Sequence, residues 1–281
     1  MELNKSRIVL TGAAGGIGSE LARRLSGKGA RLVLVGRRAD VLAALQREIF
    51  EQGGNCHYVV ADLATHDGRL EIVRQANELL GGIDILINNA GVSSYSLFSE
   101  ENPDAIERLY QTNVIAPVLL TRLLLPQMIE QGHGHIVNVG SIFGSIGFSC
   151  FTNYSASKFA MRGFSEALRR ELEVEGINIT YVAPRAVRTS LNSPTVYRMA
   201  DVVKMKMDEP AAVARRIVSA IEQDKKDVYL GWPEKLFVRI NALLPRIVDS
   251  ALKAQNTIMR SVLKETEETH RGKNAIIASR R

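Results

Sequence analysis

The sequence predicts an α/β fold: a single Rossmann-type, doubly wound parallel sheet of seven strands, helices on both faces, and a C-terminal helical extension. Three observations lead there. Up to about residue 230, short β-branched apolar runs alternate with longer amphipathic stretches, the pattern of βαβ units around a parallel sheet. A glycine-rich turn joins the first such run to the first amphipathic stretch. The 281 residues, 46% hydrophobic and 23% charged, can bury one sizeable core without splitting into several domains.

The elements follow in order. Val, Ile and Leu cluster into strands expected at 7–10, 31–35, 56–60, 83–87, 135–139, 177–182 and 228–230. Apolar residues at three- and four-residue spacing predict helices over 16–26, 39–52, 67–79, 103–131, 153–175 and 210–222. The last of these has a marked start: Asp208 and Glu209 sit near its positive end, and Pro210 stands where a missing N–H costs nothing. Residues 188–207 lack periodicity and carry Pro194 and several methionines, which reads as a loop or a lid. Beyond Gly231, Trp232, Leu236, Phe237, Ile240, Leu243, Leu244, Ile247, Val248 and Leu252 recur at helical spacing beside Arg239, Arg246 and Lys253. Residues 264–281 are charged and unpatterned and are expected to have little fixed structure.

Several classes are set aside. The first seven residues are polar and lack the long apolar core of a secretory leader, so none is expected. The apolar run 114–125 is interrupted by Pro117, Thr121 and Arg122 and is short for a membrane span, so no transmembrane helix is expected. Cys56 and Cys150 have neither CxxC spacing nor a clustered His, which argues against a disulfide framework or a metal site and fits a cytoplasmic setting. The net charge of +6 is spread along the chain with no aromatic-interleaved basic motif, so no nucleic-acid partner is expected. That charge is suited instead to a phosphate-bearing cofactor or an anionic membrane.

The turn between the first strand and first helix reads Thr11-Gly12-Ala13-Ala14-Gly15-Gly16-Ile17-Gly18. There, backbone N–H groups and a helix dipole can meet a pyrophosphate, although a glycine cluster also serves as a plain tight turn. At the end of the second strand stand Gly36-Arg37-Arg38. An acidic residue there would hold a ribose 2′-OH, whereas arginine can hold a 2′-phosphate, so NADP(H) is favoured with Arg37 as main contact; Arg38 can equally be a solvated residue capping the strand.

Tyr154 and Lys158 lie one helical turn apart, where a cation favours the phenolate of a group whose free pKa near 10 is otherwise too high for proton transfer at neutral pH. Ser141 follows a strand at its carboxyl end, where open α/β sheets bind ligands and a hydroxyl can polarise a carbonyl. Taken singly, each has a plain structural reading: YxxxK as a helix face, Ser141 as a turn residue, Asn113 as a buried polar group satisfying the backbone. Order and spacing taken together argue otherwise.

In the TGxxxGxG turn, Asp62, Asn88-Asn89-Ala90-Gly91, Ser141, Tyr154 and Lys158, the chain resembles the short-chain dehydrogenase/reductase superfamily over roughly residues 6–230. The resemblance implies a nicotinamide cofactor held by Thr11, Gly12, Gly15, Gly16, Ile17, Gly18, Asp62, Leu63, Asn89, Ala90 and Gly91, with Arg37 and Arg38 at the 2′-phosphate. Pro184, Val187 and Thr189 match the segment that meets the nicotinamide, while Arg185 replaces the usual glycine and can offer a cation to a phosphate or an anionic substrate. It also implies that Ser141 holds the substrate oxygen, Tyr154 transfers the proton, Lys158 binds the nicotinamide ribose and Asn113, in Gln111-Thr112-Asn113, anchors a water relay. The domain plan is then a catalytic NADP(H)-binding domain over 1–230, with a substrate lid at 188–209, and a basic extension over 231–281.

The apolar lid residues Val196, Tyr197, Met199, Val202, Val203, Met205 and Met207 suit a hydrophobic substrate or simply pack the lid on the body. The expected activity is NADPH-dependent reduction of a lipid-like or 3-oxoacyl ketone, as in 3-ketosphinganine and long-chain 3-oxoacyl reductases. Oxidation of a hydroxysteroid- or retinol-like alcohol is the alternative, and a non-catalytic NADP(H) sensor the rival from another class. The resemblance implies a homodimer or homotetramer built on the helices carrying Asn113 and Tyr154. The segment 232–253 is suited to peripheral membrane contact or to packing on the body or a second subunit.

Overall fold

The fold was analysed in a computed structural model, which describes the backbone of residues 1–278 and the side chains through residue 265. Seven strands, β1 (Arg7–Thr11), β2 (Arg31–Gly36), β3 (Asn55–Val60), β4 (Ile85–Asn88), β5 (Gly134–Val139), β6 (Ile177–Ala183) and β7 (Asp227–Tyr229), form one sheet in the order β3-β2-β1-β4-β5-β6-β7. Every pairing is parallel. The order reverses between β1 and β4, which leaves a crevice at their carboxyl ends where both outgoing connections diverge.

Helices α1 (Gly16–Ser26), α2 (Ala39–Glu51) and α8 (Pro210–Glu222) cover one face, burying Leu21, Leu25, Leu42, Val213 and Ile217 on Ile8, Leu10, Leu32 and Leu34. Helices α3 (His66–Leu80), α5 (Ala116–Gln131) and α6 (Thr152–Glu171) cover the other, burying Ile72, Leu120, Leu124 and Leu168 on Val9, Val33, Leu86 and Ile136. Both faces of the sheet are therefore apolar, which is why its strands read as continuous Val/Ile/Leu runs instead of alternating.

Three elements differ from the sequence reading. The single helix expected over 103–131 is α4 (Pro103–Tyr110), a π turn (Gln111–Ile115) and α5. The wider i→i+5 turn turns Asn113 into the protein, and a local insertion of that kind leaves the apolar periodicity on either side intact. By length and composition this stretch could cross a membrane, but Ala116, Leu120, Leu124 and Met128 are buried against the sheet. The segment read as a loop or lid contains α7 (Pro194–Val202), begun by Ser193, whose hydroxyl accepts from the Val196 N–H, and by Pro194 in its first turn.

The extension is two helices, α9 (Glu234–Leu243) and α10 (Pro245–Ala278). Helix thus continues through the stretch from Lys264 expected to have little fixed structure; residues 279–281 lie outside the described residues. One face packs on the body: Val238 and Val248 join Ile142 and Ile146, and Met259 and Val262 join Phe151, Val196 and Met199. Tyr95 donates its hydroxyl to the Met259 carbonyl at 2.6 Å, Asn241 donates to the Ser145 carbonyl at 2.9 Å, and Arg198 pairs with Glu265 at 2.6 Å.

Candidate active site

The glycine turn is shaped from within. Thr11 is fully inside, its hydroxyl donating to the Ile87 carbonyl at 3.2 Å and accepting from the Asn89 and Ala90 N–H groups at 3.0 and 3.1 Å. It latches β1 to the Asn88–Gly91 turn and does not line the cleft, so its part is to shape the turn and not to touch a ligand. Gly12 has φ +65°, and a Cβ on it would lie 2.8 Å from the Ala90 Cα, so the two turns meet backbone to backbone. Gly15 caps α1 without any side-chain hydrogen bond, which leaves the first N–H groups of the helix aimed at the cleft.

That cleft has a cavity of about 460 Å³. Gly12, Gly15, Gly16, Ile17 and Gly18 line it together with Asp62, Leu63, Asn89, Ala90 and Gly91 and with Arg37 and Arg38. Arg38 donates to the Ala14 carbonyl at 2.5 Å and so ties the second strand's exit to the phosphate turn, while Arg37 is exposed. An uncapped helix end and a glycine cradle that a side chain would fill fit the pyrophosphate of a dinucleotide.

Ile17, Asn89, Gly91, Val92, Thr189 and Leu191 also line a second, smaller cavity of about 130 Å³, so the cleft runs on into it. Its walls hold Ser141, Tyr154, Lys158, Pro184 and Val187 together with Phe143, Phe151, Val196, Met199 and Met205. The sequence-predicted serine, tyrosine and lysine thus converge on one apolar chamber. The Ser141 hydroxyl accepts from the Phe143 N–H at 3.1 Å and hydrogen-bonds the Tyr154 phenol. Lys158 Nζ lies 5.6 Å from the Tyr154 ring centre and donates to the Val139 carbonyl at 3.4 Å.

Electrostatics in this chamber correct one expectation. Burial pushes the Tyr154 phenol up to about 12, and its hydrogen bond with Ser141 only partly opposes this. Burial likewise pulls Lys158 down to about 8. Burial of Tyr154 therefore works against the bias toward phenolate expected from Lys158.

Asn113 is buried and lines neither cavity. Its amide accepts from the Val92 N–H at 2.8 Å and donates to the Val92 carbonyl at 2.9 Å and to the Ser157 hydroxyl at 3.1 Å. It fastens the chain after Gly91 to the helix carrying Tyr154 and Lys158, which is positioning through its side chain. Arg185 is not free to meet a phosphate: it pairs with Asp208 at 2.6 and 3.0 Å and with Glu234 at 3.3 Å, so it joins the loop after β6, the end of the lid and α9.

One residue escaped the sequence reading. Tyr181, fully buried in β6, donates its hydroxyl to the Ser141 carbonyl at 3.2 Å. A Cβ on Gly140 or Gly144 would strike its ring or hydroxyl at 2.3 or 2.5 Å. The glycines flanking Ser141 were the available signal of that close approach.

Residues 6–199 match the sequence model of the short chain dehydrogenase family. This chain belongs to the short-chain dehydrogenases. It is 37% identical over 251 residues to dehydrogenase/reductase SDR family member 7B of Bos taurus, covering 85% of this chain and 77% of the relative. It is 33% identical over 254 residues to the ketoacyl reductase HetN of a Nostoc species, covering 88% of each. Among solved structures, a short-chain dehydrogenase/reductase from Burkholderia phymatum in complex with NAD superposes with a TM-score of 0.81 at 22% identity, covering 88% of this chain and 96% of that one. A metagenomic short-chain oxidoreductase in complex with NADP gives a TM-score of 0.70 at 29% identity, covering 82% and 97%. As a short-chain dehydrogenase the protein is an oxidoreductase that uses a nicotinamide cofactor.

Proposed function

We propose that this short-chain dehydrogenase is an NADPH-dependent reductase that converts the ketone of a hydrophobic, lipid-like or 3-oxoacyl substrate to an alcohol. The observation that carries this reading is a proton-bearing Tyr154 beside Ser141 in an apolar chamber that opens directly into the dinucleotide-sized cleft. The glycine turn, Asp62, Leu63, Asn89, Ala90, Gly91 and Thr189 would hold NADP(H), Arg37 and Arg38 its 2′-phosphate, and Lys158, Pro184 and Val187 its nicotinamide half. NADPH when bound supplies the hydride. The chain's own residues do the rest: Ser141 and Tyr154 hold the ketone oxygen, Tyr154 gives it a proton, and Lys158 steadies the charge left on the phenol. Asn113 positions the helix that carries both. Phe143, Phe151, Val196 and Met199 exclude water from the reacting carbonyl.

The first experiment is equilibrium titration with NADPH and NADH, followed by oxidation of the bound cofactor with ketones of graded length. Replacing Arg37 by Ala is expected to weaken NADPH binding by about 10-fold or more, the scale of a lost charge-assisted hydrogen bond, and to leave NADH binding unchanged. Equal loss for both cofactors would remove the 2′-phosphate assignment.

A pH profile tests the proton path. Lys158, with its pKa pulled down to about 8, is charged below that pH and neutral above it, while Tyr154 keeps its proton up to about 12. Reductive kcat is therefore expected to be flat below about pH 8 and to fall above it as the charge that stabilises the departing proton's phenolate is lost. A rate that rises through pH 8 would contradict this assignment.

The exposed Ile115, Leu119 and Phe159 on the π turn, α5 and α6 support a homodimer or homotetramer joined through these helices. The exposed Trp232, Leu243, Leu244 and Ile247 beside Lys235, Arg239 and Arg246 support peripheral contact of the extension with an anionic membrane, at the cytoplasmic face given two free buried cysteines. Sedimentation alone and with anionic vesicles at low salt reads both; a monomer that stays in the supernatant would exclude the pair.

A further inference from the structure

A third cavity, of about 380 Å³, lies between the loop after Ser141, the end of the lid and the C-terminal helices α9 and α10. It is nearly three times as large as the chamber holding Tyr154. Phe143, Arg185, Ala186 and Met205 line both, so the two share one wall. On its other side Phe237, Val248, Ala251 and Leu252 close it. Those four residues belong to the extension, beyond the residues 6–199 that the family model covers, so this space is closed by the two C-terminal helices.

Its lining is mostly apolar: Ile142, Ile146, Phe148, Val203 and the four extension residues, with the exposed Lys204 and Lys206 and Gln255 among the polar groups that border it, while the Arg185 guanidinium is held by Asp208 and Glu234. The extension is also held in place, since Asn241 binds the Ser145 carbonyl and Tyr95 binds the Met259 carbonyl. A mostly apolar chamber adjoining the reacting one suits an alkyl group that runs along its Ile, Phe, Val and Leu side chains.

We propose that this cavity is a tail subsite: it takes the distal alkyl portion of a long-chain acyl ketone whose carbonyl stands at Ser141 and Tyr154. The inference rests on the ketone-reductase reading and extends it, because it places the determinant of chain length on α10 and at the shared wall, away from the residues that transfer the proton. Buried methylenes favour binding additively, so preference should grow with chain length until the space is filled.

The test uses the full chain with NADPH and two N-acetylcysteamine thioesters, 3-oxobutanoyl and 3-oxododecanoyl. Wild-type kcat/KM is expected to be roughly 10²-fold or more higher for the twelve-carbon substrate. Ala251→Trp, at an exposed position on the rim, is expected to lower the twelve-carbon value by roughly 10-fold or more and leave the four-carbon value within about twofold, which also shows that the variant is folded. Turnover of both substrates with no length preference and no effect of Ala251→Trp would overturn the tail subsite while leaving the reductase reading standing. If neither ketone is reduced, calorimetric titration of the NADPH-loaded protein with the 3-hydroxydodecanoyl thioester decides: binding weakened by Ala251→Trp upholds the subsite without the reductase reading, and no binding overturns it.

Discussion

Tyr154→Phe is expected to lower reductive turnover by about 10²- to 10⁴-fold, the range associated with loss of a positioned general acid, while NADPH affinity stays nearly unchanged. The reasoning is local. Phenylalanine keeps the ring, which contacts Phe143 edge-on at 5.9 Å and Phe151 at 6.4 Å between centres, so the chamber keeps its shape. What leaves is the hydroxyl that carries the proton. The Ser141 hydroxyl loses one partner but still accepts from the Phe143 N–H, so stability should change by no more than about 1 kcal/mol. Stopped-flow oxidation of bound NADPH separates the two effects. A variant that reduces ketone at near-normal rates would mean that the proton comes from another group, and Lys158, buried alongside, would be the first to examine.

The second large effect is expected at Gly18, whose substitution by valine should abolish cofactor binding and destabilise the whole protein. A Cβ there would lie 2.1 Å from the Gly12 carbonyl oxygen and 2.9 Å from the Ala13 Cα, both backbone atoms that no side-chain rotation can move. Relief requires α1 to lift off the turn, which moves its N-terminal N–H groups away from the pyrophosphate position and opens the packing of Leu21 and Leu25. Losses from overpacking of this kind run to about 1–3 kcal/mol or more. Urea unfolding and an NADPH titration together check it. If Gly18→Val bound NADPH like the wild type, the close packing of α1 on the turn would not be what shapes the phosphate site.

Arg185 shows how a departure from a family pattern can be misjudged from sequence. An arginine where glycine is usual suggests a cation offered to a ligand, because nothing local reveals a partner. Its partners are Asp208, at the end of the lid, and Glu234, at the start of α9. They are distant along the chain and adjacent only once β6, the lid and the extension have packed. The same holds for Tyr181, whose hydroxyl reaches Ser141 from the neighbouring strand.

The sequence by itself determined the sheet, its flanking helices and the residues gathered at the site. Strand and helix periods are local properties, and burial of both sheet faces leaves an apolar record in every strand. The glycine turn, the Asn88–Gly91 turn and Ser141 were legible because each sits at the end of a strand, and Tyr154 and Lys158 because they lie one turn apart on the helix that follows. Tertiary structure alone decided the rest. The π turn at Gln111–Ile115 leaves the apolar pattern intact while turning Asn113 inward onto Val92 and Ser157. Thr11 became a latch between strands, and burial raised the Tyr154 phenol above its ordinary value. The extension's buried face, and the cavity it closes against the loop after Ser141, exist only between segments about a hundred residues apart. Desolvation, close approach and ion pairing act through space, so no reading along the chain can assign them.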